Sequence, residues 1–350
     1  MTRHKKFSIG IAALGAAGIV AGSAQAASFE TMYKDSTITI VIAYSMGGTY
    51  GQYAQLMSQH LRRFIPGDPN IIVQSVPGAG GLKGTNYAAA VMPKNGKFIF
   101  EPPDSIIISE LLNPKAARYK SSDFTWLGNV AESNSVIAVT KRSGITSFAQ
   151  AQKRQVIMGS TGKGSQTFLI PAMLNGVLGA KFKVVMGYKG AAGSTHAMEL
   201  GETEGVSLTW TSLRKNHGPW FDNSPAGPTD TKAIPIIQVG FRKEADLMNV
   251  PLAVDLAKTP EDKQIVNFMA SLGPIGRGAT LPPGAPKELI APLRAAFDKM
   301  VVDTAFLADA KKRRLTVDPK TGAEVQAIVA DVLTMKPAVV ARARKLIFGR

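Results

Sequence analysis

The chain contains no cysteine. Thiol catalysis, cysteine-ligated metal centres and disulfides are therefore excluded, although a chain this long can fold on apolar burial alone in any redox compartment. Histidine is nearly as scarce. Beyond the first residues only His60, His196 and His217 occur, far apart and outside any metal-ligand spacing, so no metal site is expected. Aromatics supply 7% of residues, and acidic side chains are outnumbered by basic ones, 25 to 41, for a formal net charge of +16. The basic residues are scattered and not interleaved with aromatics, which argues against nucleic acid. The densest run, Lys311-Lys312-Arg313-Arg314, reads as a solvated helix end complementing the dipole. A basic balance instead suits an acidic small ligand or an acidic surface on a partner.

After the N-terminal segment, no apolar run approaches the roughly 20 residues that a membrane helix needs. The N-terminus itself is patterned. Met1-Thr2-Arg3-His4-Lys5-Lys6 precedes an apolar small-residue run from Phe7 to about Ala21, then Ala24-Gln25-Ala26. A basic n-region, a short h-region and an A-x-A site predict a secretory signal peptide over residues 1–26, cleaved after Ala26. An anchor would need a longer run. The expected location is the periplasm, and the remainder is about two domains' worth of chain.

Three strand, turn and helix units stand out. Thr37–Ile42 runs into Tyr44-Ser45-Met46-Gly47-Gly48-Thr49 and an amphipathic helix expected over 49–63. Ile71–Val76 runs into Pro77-Gly78-Ala79-Gly80-Gly81 and a further helix. Gln155–Met158 runs into Gly159-Ser160-Thr161-Gly162-Lys163-Gly164-Ser165 and another. Glycines let a ligand approach the backbone, and the free N–H groups at a helix start, with the positive end of its dipole, attract carboxylate or phosphate. A tight turn without a ligand is the alternative at any one of these sites; their recurrence favours binding.

Strands alternating with helices predict parallel α/β sheets. The alternation restarts near residue 131, with strands expected at 136–140, 155–158, 182–185, 206–208 and 233–238. Residues 214–230 read as a Gly/Pro/Asn-rich loop. A mostly helical tail follows Gly240, with helix 323–346 interrupted or kinked at Pro337. Two such sheets invite a ligand into the cleft at the carboxyl ends of their strands.

These motifs, with Tyr188-Lys189-Gly190 and Leu281-Pro282-Pro283-Gly284-Ala285-Pro286, make the chain resemble the extracytoplasmic receptors of tripartite tricarboxylate transporters, the Bug receptors, over essentially all of its length beyond the signal. The resemblance implies a two-lobed type II periplasmic-binding-protein fold, each lobe a mostly parallel sheet flanked by helices. Lobe 1 would hold 27–130 and 240–350, and lobe 2 would hold 131–239. It further implies a monomeric receptor without a cofactor that carries a carboxylated ligand to a membrane permease with a large and a small subunit. Carried over, the ligand would meet Tyr44, Ser45, Gly47, Gly48 and Thr49 in the first turn, and Gly78, Ala79, Gly80 and Gly81 in the second. The other lobe would add Ser160, Thr161, Gly164, Ser165 and Gln166, with Tyr188 and Lys189 at the rim. Trp210 is either a platform in the cleft or core.

Departures from the family pattern bear on the ligand. Gly51 stands where an Asp is usual, Gln55 replaces an Arg, Ser75 or Val76 replaces an Asn, and Phe168 replaces a His. Leu208-Thr209-Trp210-Thr211-Ser212 stands where many members carry an Asp. These changes point to a dicarboxylate with an apolar body, or an aromatic carboxylate.

Two enzymatic alternatives are weighed. A dinucleotide site needs Gly-x-Gly-x-x-Gly, but counting from Gly78 the sixth residue is Lys83. A serine hydrolase built on Ser160 or Ser165 with His196 lacks the Gly-x-Ser-x-Gly elbow. His196 and His60 read as structural.

Overall fold

The computed structural model describes residues 29–221 and 232–349, so the expected signal peptide and residues 222–230 of the expected loop lie outside the described residues. The chain forms two lobes, each built on one sheet. The first sheet has the order β11-β4-β10-β3-β1-β2. Its strands are β1 (Thr37–Ile42), β2 (Asn70–Ser75), β3 (Phe98–Glu101), β4 (Thr125–Asn129), β10 (Gly278–Leu281) and β11 (Lys320–Thr321). The second, ordered β7-β6-β8-β5-β9, uses β5 (Ser135–Thr140), β6 (Val156–Ser160), β7 (Phe182–Met186), β8 (Gly205–Thr209) and β9 (Ala233–Val239).

The sheets are mixed, which corrects the expectation of mostly parallel pairing. Pairs within the strand–helix units are parallel: β1 with β2 and β3, and β6 with β7 and β8. Those strands are joined by helical crossovers, which return the chain in the same direction. The strands that carry the chain between sheets enter from the opposite end. β10 is antiparallel to β3 and β4, and β5 is antiparallel to β8 and β9.

Two further expectations change. The tail after Gly240 contributes strands β10 and β11 as well as helices, because Gly278–Leu281 is buried throughout and completes the centre of the first sheet. The start of the expected loop is helical: Trp210–Phe221 forms a helix broken at His217, with Pro219 two residues on. The Thr209 hydroxyl accepts from Ser212 N, an N-cap hidden in a stretch whose Gly and Pro suggest a loop. Pro337 opens a separate helix, Pro337–Phe348, after helix Gly322–Leu333 has ended.

Three apolar cores result among the described residues. Ile40, Tyr53, Leu56 and Phe297 fill one face of the first sheet, and Val136, Val206 and Leu213 fill one face of the second. The largest runs between the sheets, joining Val41 and Phe100 to Ile137, Val156 and Leu174. Helix Pro337–Phe348 closes this layer by packing on helix Gln166–Leu178. A Cβ on Gly176 would come within 2.7 Å of Leu346 Cβ. No described helix is long and apolar enough to cross a membrane.

Where the chain crosses between sheets, Asn134 acts as a clasp. Its amide Nδ2 donates to Gln238 Oε1 at 2.9 Å and to Arg242 O at 2.7 Å, while its N–H donates to Glu244 Oε1 at 2.7 Å. Gly240 lies against this side chain so closely that any Cβ would collide with Asn134 Oδ1.

Candidate functional site

A narrow cavity lies between the lobes at the carboxyl ends of their strands. Three helix starts converge on it: Gly48-Thr49-Tyr50 from the first lobe, and Ser165-Gln166-Thr167 and Gly190-Ala191 from the second. Each follows a strand–turn unit, so the first N–H groups of three helices are turned toward one space. Ser165 is an N-cap, its hydroxyl accepting from Thr167 N at 3.2 Å. In this form the lobes leave only about 40 Å³, little more than the room one water occupies.

The sequence-predicted residues divide. Tyr44, Ser45, Gly48 and Thr49 line the cavity from one side, and Thr161, Ser165 and Gln166 from the other. Gly47 is exposed with open space before it. Ser160 is buried behind the wall, its Oγ 2.9 Å from Thr167 Oγ1. Tyr188 is half-buried, with its hydroxyl 3.5 Å from Glu202, and Lys189 is exposed; neither lines the cavity. Trp210 is buried on another side of the second lobe, where its Nε1 donates to Asp246 Oδ1 at 3.1 Å. It borders a separate cavity of about 390 Å³ between the crossing segments. Phe168 stacks on Phe348 at 5.8 Å. The two aromatics that suggested an apolar ligand body therefore stand outside the cavity.

The second glycine turn has a different place. Gly78 and Ala79 are exposed, while Gly80 is buried against the opposite lobe and Gly81 against Pro103 and Tyr44 of its own. A Cβ on Gly80 would fall 2.7 Å from Ser165 N and 3.0 Å from Gly162 O, and one on Gly164 would fall 2.8 Å from Ala79 O. Gly80 also has φ +68°, a left-handed conformation that favours glycine. This turn is a seam where two backbones meet, not a wall of the cavity. Ser105 and Ser109 strengthen the seam by donating to Gly164 O at 2.6 and 3.0 Å.

The strongest electrostatic features were not anticipated. Arg277, 3% exposed, enters the cavity from the residue before β10. Its Nη2 donates to Thr209 Oγ1 at 3.1 Å and Ser212 Oγ at 3.0 Å, and its Nη1 to Gly276 O at 3.2 Å, while Nε has no partner among the described residues. The bonds to Thr209 and Ser212 join the two lobes. Asp104, 2% exposed, also lines the cavity, and its Oδ1 has no hydrogen-bond partner among the described residues. Burial raises its carboxyl pKa to about 6, with Arg277 opposing the shift. Glu101 is fully buried with neither oxygen partnered among the described residues, and burial holds its pKa well above the usual range. The signal for the acids was present in the sequence: Glu101 ends the third strand and Asp104 follows it, at the carboxyl end that faces the cleft. Arg277 is flanked by Gly276 and Gly278 in a stretch read as helical tail. A Cβ on Gly276 would collide with Ala131 O, so the glycine lets the Arg277 backbone lie under the crossing segment.

Nothing resembling a hydrolytic triad forms from the candidate residues. Ser165 Oγ is engaged by Thr167, and His196 Nδ1 lies 3.5 Å from Glu199. His60 packs structurally, its Nε2 3.0 Å from Asp309. Among the described residues no cluster of three or more His, Asp or Glu side chains could hold a metal ion.

No protein-family model matches the chain, and neither does any curated protein sequence. Solved structures do. The periplasmic binding protein BugD superposes with a TM-score of 0.69 at 16% identity, over 89% of this chain and 98% of that one. MatC from Rhodopseudomonas palustris with bound malate gives 0.66 at 17%, over 89% and 98%. An R. palustris protein with adipate gives 0.66 at 17%, over 88% and 97%. The fold is that of the two-lobed type II periplasmic binding proteins, with the cavity where the lobes meet.

Proposed function

We propose that the protein is an extracytoplasmic solute receptor that captures a carboxylated small molecule between its lobes and delivers it to a tripartite tricarboxylate-type permease. The observation that carries this reading is the convergence of three helix starts and the buried Arg277 on one cavity between two lobes. Such a set of donors suits a carboxylate. That structurally similar proteins hold malate and adipate makes dicarboxylates the first compounds to try.

Binding is reversible and leaves the ligand chemically unchanged. The lobes, with divisions near 130 and 240, part to admit the ligand and close because it has higher affinity for the closed form. The present cavity is too small for a ligand of several heavy atoms, so the lobes must settle slightly further apart around it. Charge-assisted hydrogen bonds contribute about 1.5–3 kcal/mol each. Two or three of them with modest apolar burial reach about −8 kcal/mol, a micromolar dissociation constant. Tyr44, Ser45, Thr49, Thr161, Ser165 and Gln166 supply the polar wall. The protein works as a monomer in the periplasm, with residues 1–26 removed on export.

A thermal-shift screen of the mature protein over mono-, di- and tricarboxylic, aromatic and amino acids tests the reading. One or more organic acids should raise the melting temperature; a flat response across the whole set would defeat it.

A further inference from the structure

Resting on the receptor reading above, we propose that the ligand carries an ammonium group as well as a carboxylate, so that the cavity takes an amino acid or a related aminocarboxylate. The cavity holds opposite charges that feel each other but make no hydrogen bond together among the described residues. All hydrogen bonds made by the Arg277 guanidinium among the described residues go to neutral oxygens, those of Gly276, Thr209 and Ser212, and its Nε is unpartnered. Asp104 Oδ1 is likewise buried without a partner. The titratable groups set about Asp104 are Arg277, Tyr44 and Tyr50, and the Tyr50 hydroxyl already accepts from Asp104 N at 2.8 Å. Glu101 also acts on Arg277.

Each class of acid meets this wall differently. A monocarboxylate would pair with Arg277 and the helix starts but leave the Asp104 oxygen buried and unsatisfied, which is costly. A dicarboxylate would set a second anion in the same small space as Asp104, so one of the two must take up a proton. An ammonium brings three donors and no acceptor, which suits Asp104 Oδ1 with the hydroxyls of Tyr44 and Tyr50 beside it. The carboxylate of the same molecule then faces Arg277 and the N–H groups of the helix starts. An amino acid with a second carboxylate satisfies this requirement and the dicarboxylate reading together. A polar site that has lost its intended partner discriminates more sharply than an apolar pocket of the same size, so the missing amine should be costly.

Calorimetry on the mature protein at neutral pH separates the possibilities. The probes are the common L-amino acids and γ-aminobutyrate, set against butyrate, succinate, glutarate, malate, adipate and benzoate. At least one aminocarboxylate should bind, and its amine-free counterpart should bind about thirtyfold more weakly or worse. In Asp104→Asn that gap should shrink about tenfold, while an amine-free dicarboxylate binds as well or better. If amine-free acids bind as tightly as their amino counterparts, or more tightly, the ammonium inference is overturned and the receptor reading survives. Binding by no organic acid at all overturns both. Should Asp104→Asn fail to fold, the ranking of probes on the unaltered protein decides the matter alone.

Discussion

The Arg277 guanidinium lies over the ring of Tyr50, with Cζ 4.0 Å from its centroid. Tyr50 belongs to the helix of the first glycine turn, and Arg277 to the chain returning from the second lobe. A desolvated cation over a ring is held by about 2 kcal/mol. The positive charge is thus fixed in place before any ligand arrives, by a contact that asks nothing of the anionic groups nearby.

Replacing this cation should separate binding from stability. Arg277→Gln should weaken carboxylate binding by about thirtyfold or more. It should also cost roughly 3 kcal/mol of folding stability, because buried carboxyls lose the nearby positive charge. Adding Glu101→Gln should recover much of the melting temperature and none of the affinity, as read by thermal unfolding and calorimetry on the same samples. Recovery of both would reduce Arg277 to a structural ion.

Gly80→Val is expected to abolish binding in a protein that still folds. The new side chain would strike Ser165 N and Gly162 O across the seam and hold the lobes apart. Small-angle scattering should show a more extended particle than the parent. Unchanged affinity would mean that the seam need not close.

Asp104 should leave a signature in the pH dependence of stability. Its pKa is raised from 3.8 to about 6 on folding. Between those values the folded chain binds more protons than the unfolded one, so stability falls as pH rises. The penalty is absent below about pH 4 and fully present above about pH 6, on the order of 3 kcal/mol at most. Glu101 acts in the same direction. Denaturant unfolding at a series of pH values should show a shallower decline in Asp104→Asn than in the parent, and equal slopes would mean that Asp104 titrates as an ordinary exposed acid.

The exported form should begin at Ala27 or Ser28 by intact-mass measurement on a periplasmic extract. A chain that retains Met1 would remove the basis for the proposed location.

Much of this architecture was legible in the chain. Apolar runs ending in glycine turns marked β1, β2 and β6, and breaks in that rhythm marked where one sheet gives way to the next. Tyr44, Ser45, Gly48, Thr49, Thr161, Ser165 and Gln166 could be picked out as lining the cavity because helix starts after strands have one characteristic spelling. That spelling does not say what a turn faces, so Gly78–Gly81 was read as ligand-binding although its Ala79 and Gly80 abut the other lobe. Arg277 was hidden for a different reason. Its neighbours in space, Tyr50 on one side and Thr209 with Ser212 on the other, come from two distant segments, and a single Arg between two glycines has no periodicity to announce it. The antiparallel strand β10 was missed because it is four residues long, too short to show an alternation, although the turn Pro282-Pro283-Gly284 follows it directly.

The last helix, Pro337–Phe348, rests on helix Gln166–Leu178 of the second lobe, while its Arg344 donates to Leu111 O and Leu112 O of the first. The carboxyl end of the chain is therefore a strap across both lobes. A fluorophore at that end, paired with one on the exposed residue Gln55, would report whether the strap slides when the lobes part, in a protein whose surface needs no other alteration to be read.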